Sequence, residues 1–209
     1  MSIHDSSVYL MLKPFSQACI NNRDFILEHL RVLFDEGSKV LEVGSGTGQH
    51  GVYFSNHLSM QWQMSDFEDN HEGINAWIDE ASTGNCLAPI ALDVSNELWL
   101  SQRYNAVFTA NTLHIMSWDN VLHFFQKAHT VLEPKGLVIV YGPFNYNGAY
   151  TSESNERFDQ FLQASSPEKG IRDIEKINKL ALDNHFVPVA DHEMPANNRL
   201  LVWKFEGAA

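Results

Sequence analysis

The sequence predicts an α/β protein with an open sheet of mostly parallel strands, helices on both faces, and an antiparallel hairpin at the C-terminal end. Three observations predict it. Short β-rich runs alternate with runs whose apolar residues recur at helical spacing. A glycine-studded loop, Gly44 to Gly48, joins the first of those runs to the helix after it. The last two β-rich runs follow one another directly, which makes them antiparallel neighbours.

In chain order, Phe15 to Phe34 reads as a leading helix, with Ile26, Leu27, Leu30, Leu33 and Phe34 at helical spacing and a break at Gly37. Residues 38–43, SKVLEV, form the first strand, and Gln49 to Leu58 the helix behind it. Gln61 to Met64 with Asn70 to Ala81 repeats the unit. Cys86 to Leu92 is a third strand, followed by a short helix near Glu97 to Leu100. Tyr104 to Ala110 and the helix Trp118 to Leu132 make the fourth unit. The turn Glu133-Pro-Lys-Gly136 then leads into a fifth strand, Leu137 to Tyr141. There the alternation breaks. Residues 143–170 carry a Gly- and Asn-rich loop and a helix from Ser152 to Leu162, ahead of the expected helix at Asp173 to Leu182. We read 143–170 as a substrate-side insertion in one domain spanning 1–209. Phe186 to His192 and Leu200 to Phe205, joined by MPANN, close the sheet as the hairpin.

Composition narrows the function. Of 209 residues 44% are hydrophobic, enough for a sizeable core. A formal charge of -12 and a pI near 5.1 set a field that repels a phosphate backbone, so nucleic acid is not an expected partner. Cys19 and Cys86 are in neither CxxC nor Cys/His ligand spacing, which argues against a zinc site and suits a reducing, cytoplasmic setting. The ten histidines form no HxxxH pair with a carboxylate cluster, so no metal is expected. The start, MSIHDSSVYLMLK, lacks the basic residues of a signal peptide, and no apolar run reaches the ~18 residues that span a bilayer.

A loop between a buried strand and a helix offers free backbone N–H groups and the positive end of the helix dipole. Glycines let a ligand approach closely. Three ligands are usual there: a nucleoside triphosphate, a dinucleotide or S-adenosylmethionine. A triphosphate wants Gly-Lys-Ser/Thr, and here Gly48 is followed by Gln49 and His50. The dinucleotide spacing wants Gly or Ala at 49. Asp66 lies 22 residues past Gly44 at the end of the second strand, where an open sheet offers a carboxylate to ribose hydroxyls. Asp93 and Val94 end the third strand, and Asn111, a candidate cofactor contact, and His114 follow the fourth.

Glu42-Val-Gly44-Ser45-Gly46-Thr-Gly48 resembles the ExGxGxG signature of the class I S-adenosylmethionine-dependent methyltransferases, a Rossmann-like superfamily. The resemblance implies that Glu42 lies near the amino-acid end of the cofactor. It also implies that the glycines make room for its tail and sugar, and that Asp93 accepts from adenine with Val94 beside the base. From 22 to 198 the chain also resembles one methyltransferase-like family, the group that includes methyltransferase-like protein 26. The matching stretches include Asn22-Arg-Asp24, Ser45 to His50, Ser65-Asp66, Gly142-Pro-Phe144, Ser152-Glu-Ser-Asn155, Arg157-Phe-Asp159, Gly170-Ile-Arg-Asp173 and Met194 to Asn198. It departs from that pattern at Asn21, where Arg is expected, and at Met64 and Ser117, where Pro is expected. The resemblance implies fold and cofactor pocket but no substrate.

Methyl transfer from a sulfonium needs an oriented acceptor and exclusion of water, and orientation alone is worth ~7–11 kcal/mol. A general base adds ~10²–10⁴-fold when the acceptor arrives protonated. His114, with an ordinary pKa of ~6.5, is the candidate base, and Tyr141 a second candidate catalytic group. The insertion leaves the C-terminal end of the fifth strand, so Phe144, Asn145, Tyr150, Asn155 and Arg157 are candidate substrate contacts, with Asn197 of the hairpin. Ser152 alternatively caps a helix, and Arg157 alternatively makes a plain ion pair. The expectation is methyl transfer to a small-molecule acceptor. A non-catalytic protein that binds S-adenosylmethionine or S-adenosylhomocysteine, and an NAD-dependent oxidoreductase, are the alternatives.

Overall fold

A computed structural model describes residues 13–207. Its sheet runs in the order β3-β2-β1-β4-β5-β8-β7, with β6 pairing off the path onto β5. The strands are β1 Lys39–Val43, β2 Gln61–Asp66, β3 Cys86–Ala91, β4 Tyr104–Ala110, β5 Leu132–Asn145, β6 Arg172–Asp173, β7 Phe186–Met194 and β8 Asn198–Phe205. The helices are α1 Gln17–Leu33, α2 Gln49–His57, α3 His71–Ile78, α4 Trp118–Ala128, α5 Glu153–Ser165 and α6 Ile174–Asp183. Pairings from β3 through β5 are parallel, while β8 is antiparallel to both β5 and β7. The open, mostly parallel sheet with its C-terminal hairpin is the expected fold.

Both faces are covered, so the central strands are buried almost throughout. Alternation along each strand then deals side chains to two cores. Leu41 and Val43 of β1 join Val107, Val138, Val140 and Trp203 against α4 and α6. Val40 joins Trp62, Met64, Phe108 and Val202 against α1, α2 and α3. Burying a side chain of this size contributes roughly 1.5–3 kcal/mol. Among the described residues no helix is long and apolar enough to cross a membrane.

Three details differ from expectation. No helix forms near Glu97 to Leu100. The Asp93 carboxylate accepts from Ser95 N and Oγ, and the chain folds over buried Trp99, whose Nε1 donates to Val94 O. Side chains that bond local backbone this way compete with a helix. Glu133-Pro-Lys-Gly136 does not precede β5 but bulges within it, because Leu132 already pairs with Tyr104 before the register resumes at Leu137 and Ala106. Two-residue β6 was too short to leave a sequence signal, and it pairs Arg172 and Asp173 with Phe144 and Asn145.

Candidate functional site

A cavity of about 710 Å³ opens at the C-terminal ends of β1, β2 and β4. That volume is within the ~300–1,000 Å³ usual for small-molecule sites. One wall is the turn after β1. Gly44, Gly46 and Gly48 all have positive φ, at 73°, 58° and 85°. A Cβ on Gly44 would sit 2.9 Å from Thr112 Cγ2, and one on Gly48 would sit 3.1 Å from Ile74 Cα. Only glycine fits such a turn without strain. The turn is latched to β2, where Gly44 N and Ser45 N both donate to Ser65 O and Ser65 Oγ donates to Glu42 O.

Asp66 ends β2 in the same wall. Its Oδ2 accepts from Gly46 N at 2.6 Å, and its Oδ1 accepts from Phe67 N and Asn70 Nδ2. The carboxylate is thereby fixed in direction, and Oδ2 keeps a lone pair for a ligand hydroxyl. Phe67 and Val94 supply apolar surface beside it. The N-terminal end of α1 closes this side through Ser16, Ala18 and Cys19, and Ser16 N donates to Gln49 Oε1 at 2.5 Å.

The opposite wall is the segment after β4. Asn111 takes φ 58°, a left-handed turn that Asn tolerates, and its N donates to Tyr141 O. His114 follows, 6% exposed, with its ring edge-on to Phe158 at 5.3 Å. Gly142 lies alongside, where a Cβ would make ordinary contact at 3.7 Å from His114 Nδ1 and 4.0 Å from Asn111 Oδ1. The segment is clamped from outside. Gly170 N donates to His114 O, Arg172 Nε to Leu113 O, and Arg172 Nη2 to Met116 O and Glu168 O.

Burial tunes the titratable groups. The His114 imidazole is pushed down to about 4 by burial, aided by the Arg172 charge and opposed by Asp159. His50, also in the cavity wall, is pushed down to about 4 by burial, with Arg23 adding to it. Its Nε2 donates to Asn22 Oδ1 at 2.7 Å, leaving Nδ1 toward Cys19 Sγ. Glu42, 1% exposed, is pushed up to about 7 by burial, which outweighs its bonds from Trp62 and Ser45.

Of the residues singled out in the sequence, Gly44, Ser45, Gly46, Asp66, Val94, Asn111 and His114 line the cavity. Others stand elsewhere. Glu42 lies behind the turn, accepting from Trp62 Nε1 at 2.8 Å. Gly48 packs on Ile74, and Asp93 is engaged by Ser95. Tyr141 is 3% exposed, its hydroxyl against Asn22 and Asn198.

None of the six candidate substrate contacts lines the cavity. Phe144 is core, and Asn145 is buried with Oδ1 unpaired. The Tyr150 hydroxyl donates to Asp159, and Asn155 Nδ2 ties Thr151 Oγ1 to Asn197 O. Arg157 is exposed and pairs with Glu153, while Ser152 caps α5. From 143–170 the lining takes Phe158 and Glu168 instead. Sequence reasoning also missed Cys19, His50, Phe67 and Met116. Phe67 had a signal, being the residue after Asp66; Cys19 reaches the cavity only because α1 folds across its rim.

A cavity with an acid on a fixed strand end, a glycine wall and no Lys or Arg in its lining suits a nucleoside that carries positive charge. The fold recurs in solved structures. The S-adenosylmethionine-dependent methyltransferase SibL superposes with a TM-score of 0.76 at 18% identity, covering 91% of this chain and 56% of that one. An O-methyltransferase family 2 protein from Planctomyces limnophilus, solved with apigenin, gives 0.77 at 14% identity, covering 90% and 57%. An O-methyltransferase family protein from Burkholderia thailandensis gives 0.73 at 11%, covering 90% and 59%. The chain thus spans a little over half the length of these neighbours. The sequence itself matches the model of a family described as protein of unknown function DUF938 over residues 13–205. With nearly its whole length matched, the chain belongs to the DUF938 family.

Proposed function

We propose that the protein binds S-adenosylmethionine and transfers its methyl group to a small-molecule acceptor. The observation that carries this is the joint placement of Gly44, Gly46 and Asp66 in one cavity wall that holds no cationic side chain. The glycine turn would hold the amino-acid tail, Asp66 the ribose hydroxyls, and Val94 with Phe67 the base. The sulfonium, when bound, supplies an activated methyl carbon. The chain's own residues do the rest. Asn111 and the clamped segment after it orient the acceptor, and Phe158, Ile115 and Met116 exclude water. His114, neutral above about pH 4, is the group that would receive the acceptor's proton, although burial makes it a weaker base than a free imidazole. The resemblance of residues 22 to 198 to the group that includes methyltransferase-like protein 26 supports the same reading. The methyltransferases among the solved neighbours support a methyl-transfer reading.

Thermal denaturation with S-adenosylmethionine, S-adenosylhomocysteine, NAD and ATP tests the reading. Stabilisation by RT ln(1 + [L]/Kd) is expected from the first two alone. Stabilisation by NAD alone would overturn it in favour of an oxidoreductase. Binding without any labelled product from a metabolite extract would instead leave a non-catalytic binding protein.

A further inference from the structure

We propose that the acceptor half of the cavity takes an uncharged or amine-bearing molecule with an apolar body and turns away carboxylates, sulfates and phosphates. This rests on the methyl-transfer reading and narrows its acceptor. The chain has 14 Lys and Arg, all among the described residues, and none lines the cavity. Arg172, behind the wall, is already spent on the carbonyls of Leu113, Met116 and Glu168. Arg157 points to solvent with Glu153.

Helix N-termini are the other source of positive potential, and α4 is the one that follows the acceptor-side segment. Ser117 Oγ caps it by accepting from Asn120 N, and Asp119 stands in its first turn. An entering anion would shed water and find no cationic side chain to replace it. It would also meet Glu168, an acid of the cavity lining that makes no ion pair among the described residues. What the wall does offer is Ile115, Met116 and Phe158, apolar surface suited to a flat or aliphatic body.

The test splits a cell metabolite extract at pH 8 by anion exchange into retained and unretained pools. Each pool is incubated with the full chain and methyl-labelled S-adenosylmethionine. Label is expected in products of the unretained pool by at least about tenfold, because like charges brought together strongly disfavour binding. Equal or greater labelling in the retained pool overturns the inference and leaves methyl transfer standing. Label in neither pool, while S-adenosylhomocysteine still raises the melting temperature, removes methyl transfer and this inference with it. Glu168→Lys sharpens the result: it should raise labelling of the retained pool, with S-adenosylhomocysteine stabilisation measured alongside as a check on folding. An unchanged ratio would remove Glu168 from the selectivity.

Discussion

The two walls of the cavity are built by different physics. The wall after β1 is local: Gly44, Ser45 and Gly46 are consecutive, the glycines' φ angles fix the turn, and the adjacent strand receives the amides, Ser65 O those of Gly44 and Ser45 and Asp66 Oδ2 that of Gly46. The wall after β4 is assembled from a distance. Arg172 reaches carbonyls 59 and 56 residues away, and Phe158 comes from α5. The first wall resists change because its shape is backbone geometry. The second can be retuned by altering clamps outside it, as a chain that keeps one ligand and varies another would require.

Gly44 is where the walls meet, against Thr112. Gly44→Val should have the largest effect, because left-handed strain of ~1–2 kcal/mol adds to an overpacking cost of ~1–3 kcal/mol. Calorimetry should show S-adenosylhomocysteine affinity down roughly 1,000-fold, the equivalent of ~4 kcal/mol. An affinity within error of the parent would put the ligand elsewhere.

Acid pH strikes both walls together, His50 on one side and His114 on the other. Both are lowered from 6.5 to about 4, so the stability of their neutral forms is present above pH 6.5 and lost as pH falls through 4. Each is worth up to about 3 kcal/mol by linkage. Glu42 runs the other way, raised from 4.5 to about 7, so its contribution is present below 4.5 and lost as pH rises through 7. Urea unfolding between pH 4 and 8 should show a maximum inside that window, and His114→Gln should flatten the acid limb. An acid limb of unchanged steepness would mean that His114 is not buried neutral.

Asp66→Ala tests the local wall alone. Losing a charged hydrogen-bond partner costs ~1.5–3 kcal/mol, so S-adenosylhomocysteine affinity should drop about 10- to 100-fold. Unchanged binding would free Asp66 from the ribose role. Arg172→Met tests the distant wall: turnover of a labelled acceptor should fall about tenfold while cofactor affinity stays within about twofold, since the clamp is worth ~1–2 kcal/mol to the segment it holds. Equal loss of both would show that the walls are one unit.

The same contrast explains what the sequence made legible. Strand–helix alternation placed β1 to β5 and the hairpin because period and turn chemistry are written locally. The glycine turn, Asp66, Asn111 and His114 stand at strand ends that any open sheet presents together. The acceptor side was misjudged because proximity to an insertion does not say which way a side chain turns. Tyr150 is drawn to Asp159, which also receives Gln163 Nε2 and Ile171 N, and Asn155 is drawn to the hairpin. Those contacts hold α5 in place, and Phe158 and Glu168 are the residues of 143–170 that line the cavity. The helix expected near Glu97 failed for a local reason: Asp93 Oδ1 accepts from both the backbone N and the hydroxyl of Ser95.

Glu42 sits behind the glycine turn, held by Trp62 and poised near half-ionisation at neutral pH. A positively charged guest on the far side of that turn would tip it toward carboxylate, expelling hydrogen ions into the medium. The heat of association would then depend on whether the buffer is Tris or phosphate, and the grip would strengthen as the solution turns alkaline.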